Sequence, residues 1–314
     1  MKLLTLSSFI PTQICDTIRY IDYPSAQTLP HYCPYVSAYI DQVLNDPEID
    51  GAVYPRSCDS CRAVTGYLAD QTDKFFYQLS IPTRQDSSAV TYLATELRRY
   101  QQAVENHYNI RLTDIPRRSQ AVNIRNKKIS DIYQDSPNIS YKAYLDMLHN
   151  LLSKPLYDQT VPTDLPSKPI NGKPVYLVGS FLTNTELAAQ IEAAGLSIVG
   201  DNLTQSKRLF AMPETDIAGD IYENIAYSLL YNHLSPTQNN FRKILEDDLS
   251  EIKQKSVKGV IFVTQKYCEP YDYLYSVYKQ MLDEQEIPVL KLTLTWSSDN
   301  QRAATVIEAF ADIL

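Results

Sequence analysis

Residues 174–201, PVYLVGSFLTNTELAAQIEAAGLSIVGD, decide the fold class. PVYLVGS (174–180) is an apolar run suited to a buried strand. NTELAAQIEAAG (184–195) repeats its apolar residues at helical spacing, opens on Asn/Thr and stops at Gly195, and LSIVGD (196–201) is a second apolar run. Short apolar strands flanking a helix read as a β-α-β unit, in which the sheet is parallel and covered on both faces. The alternation continues with helical sequence over 216–256, KGVIFVT (258–264), a helix over 269–286, PVLKLTLTW (288–296) and a closing helix from 300.

Upstream, the same alternation predicts a helix over 34–45, a strand at 50–55, a helix over 59–71, a strand at 74–81 and a long helix over 86–108. Between the two sets lies SKPLYDQTVPTDLPSKPINGKP (153–174), where five prolines interrupt any helix or central strand. The expected organisation is therefore two α/β domains, 1–160 and 161–314, which suits 314 residues at about 150 per domain. The segment PRRSQAVNIRNKK (116–128) is basic; it reads as a solvated helix face or as a dock for an anionic group.

Composition narrows function by exclusion. At 44% hydrophobic and 21% charged residues the chain is an ordinary globular protein, and its net charge of −8 disfavours nucleic acid as a partner. No run approaches the ~18 apolar residues of a membrane span, and the opening MKLLTLSSFIPTQIC is too short and too interrupted for a signal peptide. Eight glycines leave little room for phosphate loops, and neither a G-x-x-x-x-G-K-[ST] nor a G-x-G-x-x-G motif is present. Four scattered histidines argue against a poly-His metal site. Twenty-four tyrosines against eight phenylalanines mark a bias; in YCEPYDYLYSVY (267–278) they recur at helical spacing, predicting core packing with hydroxyls at the rim.

Special chemistry then falls to the five cysteines, an odd number that suits a reduced, cytoplasmic setting better than a disulfide framework. Cys58 follows the strand at 50–55, Cys268 follows the strand at 258–264, and Cys33 precedes Pro34 at a helix start. Strand carboxyl ends are where open α/β sheets bind ligands, and helix N-termini favour thiolates. These thiols are either buried packing residues or ligands of a shared soft-metal site, most naturally an iron–sulfur cluster. Cys61 completes a C-x-x-C with Cys58, which alone is a weak signal, and Cys15 reads as structural.

The segments LPHYCPYV (29–36), DGAVYPRSCDSCR (50–62), IPTR (81–84), KGVIFVTQKYCEP (258–270) and EIPVLKL (286–292) together resemble the 2-hydroxyacyl-CoA dehydratase and benzoyl-CoA reductase subunit family. The resemblance runs from about Ser8 to the C-terminus, and its C-D-x-x-R and K-[FY]-C-[ED]-P elements are specific in combination. It implies two Rossmann-like domains with an oxygen-sensitive [4Fe-4S] cluster at their interface, held by Cys33, Cys58 and Cys268. The implied reaction is loss of water from a 2-hydroxyacyl-CoA, started by one low-potential electron that converts the thioester carbonyl to a ketyl radical. The electron comes from an ATP-dependent iron–sulfur activator, a separate protein, and the enzyme works as a dimer with a sister subunit or with itself.

Departures from the family pattern matter. Ser8-Phe9-Ile10-Pro11-Thr12-Gln13 stands where substrate-handling subunits carry Ser-Tyr-x-Pro-Glu-Glu, so Ser8 is the catalytic candidate but both acids are replaced. A Gln amide is no acid or base near neutral pH, which favours a cluster-carrying, electron-relaying subunit over the one that binds substrate. Cys61 is a bystander, an alternate ligand, or part of a larger cluster. Arg62 is a helical surface residue or neutralises the cluster or a CoA phosphate; Lys266 and Glu269 are cluster-tuning neighbours of Cys268 or, for Glu269, a first-turn helix acid. The turn at Asp201 is a family-like active-site segment or a plain cap. Two rival readings remain: a double-cubane reductase of small molecules, for which five cysteines are few, and a non-catalytic cluster carrier or scaffold.

Overall fold

In the computed structural model the described residues are 1–6, 10–15, 29, 32–168, 171–182, 184–211, 213–232, 236–238, 241–295 and 300–314. Ser8 and Phe9, the start of the early family-like element, lie outside them.

Two parallel sheets organise the chain. The first has three strands in the order β1 (Leu3–Thr5), β2 (Gly51–Pro55), β3 (Phe75–Leu79). Its crossovers are α1 (Pro34–Asn45) and α2 (Asp59–Ala69), which pack side by side on the face carrying Leu4, Ala52 and Tyr54. The alternate residues Leu3, Val53 and Phe75 face the other way, onto α3 (Ser87–Tyr108) and α8 (Ile221–Asn232). Strand periodicity of two thus feeds two separate apolar layers. Helix α8 comes from the C-terminal half of the chain yet closes the first sheet.

The second sheet has the order β5 (Leu196–Asn202), β4 (Lys173–Gly179), β6 (Gly259–Gln265), β7 (Val289–Leu294), all parallel. One face, with Val175, Leu177 and Ile261, packs on α5 (Tyr141–Leu152), α6 (Glu186–Ala193) and α11 (Asn300–Ile313). The other, with Tyr176, Val178 and Phe262, packs on α9 (Phe241–Gln254) and α10 (Glu269–Asp283). The strand order reverses between β4 and β6, so their carboxyl ends border a topological switch point. One apolar cluster runs without a break from Leu4 and Tyr39 at the first sheet to Leu177 and Ile261 at the second.

The predicted helices and strands of both halves are present, with ends shifted by a few residues. Strand β1 was not anticipated: three residues carry too little pattern, and the strand exists because β2 offers it a register partner. On α4 (Ile115–Gln134) the expected solvated face is present in part, since Arg117, Lys127 and Lys128 are exposed, but two of its basic residues face inward. Its Arg118 and Arg125 are buried: Arg118 donates to the carbonyls of Gln13 (3.0 Å) and Thr12 (2.8 Å), and Arg125 to Gln159 and Asn126. An arginine fork aimed at backbone carbonyls ties down a loop that has no ladder of its own.

The tyrosines meet the expectation only in part. Tyr267 and Tyr273 are exposed, whereas other hydroxyls lie inside the molecule, bonded to carboxylates: Tyr278 and Tyr176 to Asp248, Tyr176 also to Glu251 (2.9 Å), and Tyr141 to Asp201. Asp201 and Asp248 are fully buried, and phenol donors are what such carboxylates require. Asp201 also accepts from the Leu203 amide (2.7 Å) and Ser206 Oγ (2.6 Å), which makes it the anchor of the turn after β5.

Candidate metal centre

Each of the three separated cysteines is a helix N-cap. Cys33 caps α1 with Pro34 in the first turn, Cys58 caps α2 three residues beyond the end of β2, and Cys268 caps α10 three residues beyond β6. At Cys58 and Cys268 the local reason is the same: the chain leaves a strand, turns once and starts a helix, and the thiol occupies the turn. At Cys268 that turn passes through Tyr267, which has a left-handed φ of 64°, a conformation uncommon for a non-glycine residue. The Cys268 amide donates to the Gln265 carbonyl (3.1 Å), closing the turn.

Tertiary packing then joins these ends. Tyr35, two residues after Cys33, stacks on Phe181 beyond the end of β4, with ring centroids 4.3 Å apart. Gln265, three residues before Cys268, donates through Nε2 to the Phe181 carbonyl (2.8 Å). Phe181 is therefore the hinge pin between the helix that starts at Cys33 and the strand that leads to Cys268. Gly179, with φ of 147°, permits this: a β-carbon there would sit 1.8 Å from the Val263 carbonyl oxygen.

The thiols feel one another. Burial pushes Cys33 up to about 12, with the Cys58 sulfur adding repulsion and the amides of Val36 and Tyr35 acting against the rise. Cys268 is pushed up by burial and by repulsion from Cys33 and then Cys58, opposed by the Tyr271 amide. Cys58 is drawn down to about 7, first because the Cys61 thiol donates to it. Cys61 is correspondingly raised, by that hydrogen bond, by burial and by the charges of Cys58 and Cys33. Four of the five cysteines thus converge. Cys15 does not: it packs with Ile10, Ile14 and Tyr100 in the other apolar layer.

The chemistry of this donor set fits an iron–sulfur group. It is all thiol, held by helix N-termini, and its members disfavour one another's ionisation unless something electropositive stands between them. Among the described residues no three His, Cys, Asp or Glu side chains form a group that could hold a metal ion. Ser180 Oγ at the end of β4 and Gln265 Oε1 at the end of β6 are buried without a protein partner. They sit on the segments that frame the switch point, where a group not made of protein would meet them.

Around the thiols, Arg62 is exposed on α2 and lies 3.6 Å from Asp59. Lys266 and Glu269 are also exposed, the former over the Tyr267 ring at 4.9 Å and the latter in the first turn of α10. Sequence reading missed Ser57, which hydrogen-bonds both Cys58 and Cys61, and Tyr35 and Phe181, whose stacking has no local signature.

Two parallel sheets, with Cys58 and Cys268 just beyond strand carboxyl ends, define this as an α/β protein. Residues 7–314 match the family model described as 2-hydroxyglutaryl-CoA dehydratase, D-component, and the chain belongs to this family. It is also similar to the (R)-phenyllactyl-CoA dehydratase beta subunit of Clostridium sporogenes, 28% identical over 154 residues. That alignment covers 47% of this chain and 39% of the relative.

Proposed function

We propose that this chain is the cluster-carrying subunit of a 2-hydroxyacyl-CoA dehydratase, in which Cys33, Cys58 and Cys268 hold a [4Fe-4S] cluster at the junction of two Rossmann-like domains, 1–160 and 161–314. The observation that carries the proposal is that Cys33, Cys58 and Cys268 are the N-caps of α1, α2 and α10 and that Cys33 and Cys268 both lie close enough to Cys58 to be repelled by it. The cluster supplies one-electron chemistry at low potential. This chain's residues would hold it: the helix N-termini stabilise thiolates, with Cys33 buried and Cys58 and Cys268 partly exposed.

Gln13, where the family's substrate-handling subunits carry an acid, is buried and its carbonyl is bonded to Arg118. The chain therefore lacks an acid or base at that position, and a sister subunit supplies it. The name of the clostridial relative, a beta subunit, accords with such a partner. Energy for low-potential reduction comes from a separate ATP-dependent activator, since no nucleotide phosphate loop is present in the sequence. A reducing compartment such as the cytoplasm accords with five cysteines of which no pair forms a disulfide. No helix among the described residues is long and apolar enough to cross a membrane.

Anaerobic reconstitution tests the assignment. Wild-type chain should bind about four irons with matching sulfide and absorb in the visible, as a single cubane does. Cys33→Ala, Cys58→Ala and Cys268→Ala should each lose the iron, whereas Cys61→Ala, removing a thiol one turn inside α2, should keep it. A colourless wild-type chain would overturn the proposal. About eight irons would instead support the double-cubane reading, which the position of Cys61 beside Cys58 favours but the distance of Cys15 from the group does not. Dehydratase activity of activator plus sister subunit that persists without this chain would make it a scaffold.

A further inference from the structure

Cys61 is the converging thiol that the proposed ligand set leaves over. It is buried in the first turn of α2, whereas Cys58, at the N-cap of the same helix, is partly exposed. The Cys61 thiol donates to the Cys58 sulfur, and Ser57 hydrogen-bonds both. Backbone contacts fix the pair: the Arg62 amide donates to the Cys58 carbonyl (2.9 Å) and Gln78 Nε2 to the Cys61 carbonyl (3.1 Å). Cys33 and Cys268, by contrast, feel Cys58 as repulsion. A reachable sulfur at a helix N-terminus with a buried thiol one turn behind it is the arrangement that thiol–disulfide exchange uses. Ser57 also lines an open cleft of about 590 Å³ at the carboxyl edge of the first sheet, together with Arg56 after β2, Arg62 on α2 and Arg84 after β3. In a chain of net charge −8, these three arginines face a single carboxylate among the described lining residues, Asp86. That carboxylate already accepts from the Ala89 amide (2.9 Å) and Ser88 Oγ (2.6 Å) and pairs with Arg84. A positive cleft beside a reachable sulfur concentrates anionic reagents there.

We infer that in the iron-free chain Cys58 and Cys61 form a thiol–disulfide exchange site for an anionic low-mass disulfide, which reaches Cys58 by way of the arginine-lined cleft. The Cys58 thiolate attacks one sulfur of the reagent, forming a mixed disulfide and releasing one thiolate. The Cys61 sulfur then attacks the Cys58 sulfur, and the Cys58–Cys61 bond forms as the second half of the reagent leaves, taking up the Cys61 proton. Two protein thiols are oxidised and one reagent disulfide is reduced to two thiols, so no oxygen is consumed. The consequence for iron rests on the cluster reading: a Cys58 held in a disulfide is withdrawn from the ligand set, and a dithiol reductant restores it.

Peptide mass mapping of the full chain, stripped of iron and incubated anaerobically with oxidised glutathione, tests this. Wild type should lose Cys58 and Cys61 as free thiols, gain the bond between them and keep no glutathione, with Cys33 and Cys268 still reduced; dithiothreitol should reverse the change. Cys61→Ala should stop at the mixed disulfide on Cys58, and Cys58→Ala should leave Cys61 reduced. Rates normalised to those of free cysteine should favour oxidised glutathione over the cationic disulfide cystamine by about tenfold or more at low salt. The Arg56→Gln/Arg84→Gln double variant should lose most of that preference with its melting temperature unchanged. A Cys58 bond to Cys33 or Cys268, no reaction at Cys58, or equal normalised rates for the two reagents overturns the inference. Iron content separates it from the cluster reading: a chain that forms the bond but binds no iron after reduction and reconstitution sinks the cluster alone, while one that binds iron yet forms no Cys58–Cys61 bond when stripped sinks the exchange site alone.

Discussion

At the scale of single residues, the chain spends its unusual conformations where the two sheets meet. Gly179 is a clear case, since both its φ of 147° and the 1.8 Å approach of a hypothetical β-carbon to the Val263 carbonyl oxygen forbid any side chain. Gly179→Ala is expected to lose more than about 4 kcal/mol, in the class of severe single substitutions; urea unfolding followed by circular dichroism measures it, and a loss below 1 kcal/mol would show that the β4 to β6 junction relaxes easily. The cysteines were legible as a set from their places after strands and before helices. Their ranking was not: that Cys61 donates to Cys58, and that Cys15 packs in a different layer, depends on which helix face meets which sheet face.

At the scale of elements, the helices and strands follow from hydrophobic period and punctuation, and the failures have physical causes. α4 was read as a basic surface because charge runs ordinarily face water; burial of Arg118 became favourable only because the loop at residues 10–15 brings two unpaired carbonyls to it. Arg118→Met preserves the helix and much of the packing but leaves those carbonyls dry, at about 1–3 kcal/mol each. The expected outcome is a total loss of roughly 2–4 kcal/mol in a urea titration, with protease sensitivity rising within the first fifteen residues. Equal stability of the variant and wild type would mean that water replaces the guanidinium. The tyrosine-rich α10 shows the converse: its amphipathic spacing was correct, but the Tyr278 hydroxyl ends on Asp248 of α9, thirty residues away in sequence, and the Tyr271 hydroxyl meets Arg208 and Thr204.

At the scale of the whole molecule, a polar network crosses the second sheet and makes stability depend on pH. Asp248 faces Tyr176, Tyr278, Asn202 and, at 3.5 Å, Lys207, and its burial raises its carboxyl from 3.8 to about 6. The folded chain therefore holds this proton more tightly than the unfolded chain between those two values. Stability from this group is full below about pH 4, declines as pH rises to about 6, and is constant above, a change of up to about 3 kcal/mol. Asp248→Asn, which fixes the neutral shape, should flatten that decline relative to wild type in melts at intervals across the window; parallel curves would place the proton elsewhere. The sequence by itself determined the β-α alternation, the parallel sheets and the three N-cap thiols, because hydrophobic period, proline and helix-start signals act within a few residues. Only the tertiary structure decided that Tyr35 and Phe181 bring Cys33 to Cys268, that α8 crosses back to cover the first sheet, and that three arginines from separate segments share one cleft. Those outcomes depend on burial and complementarity between segments up to two hundred residues apart, and no local pattern encodes them.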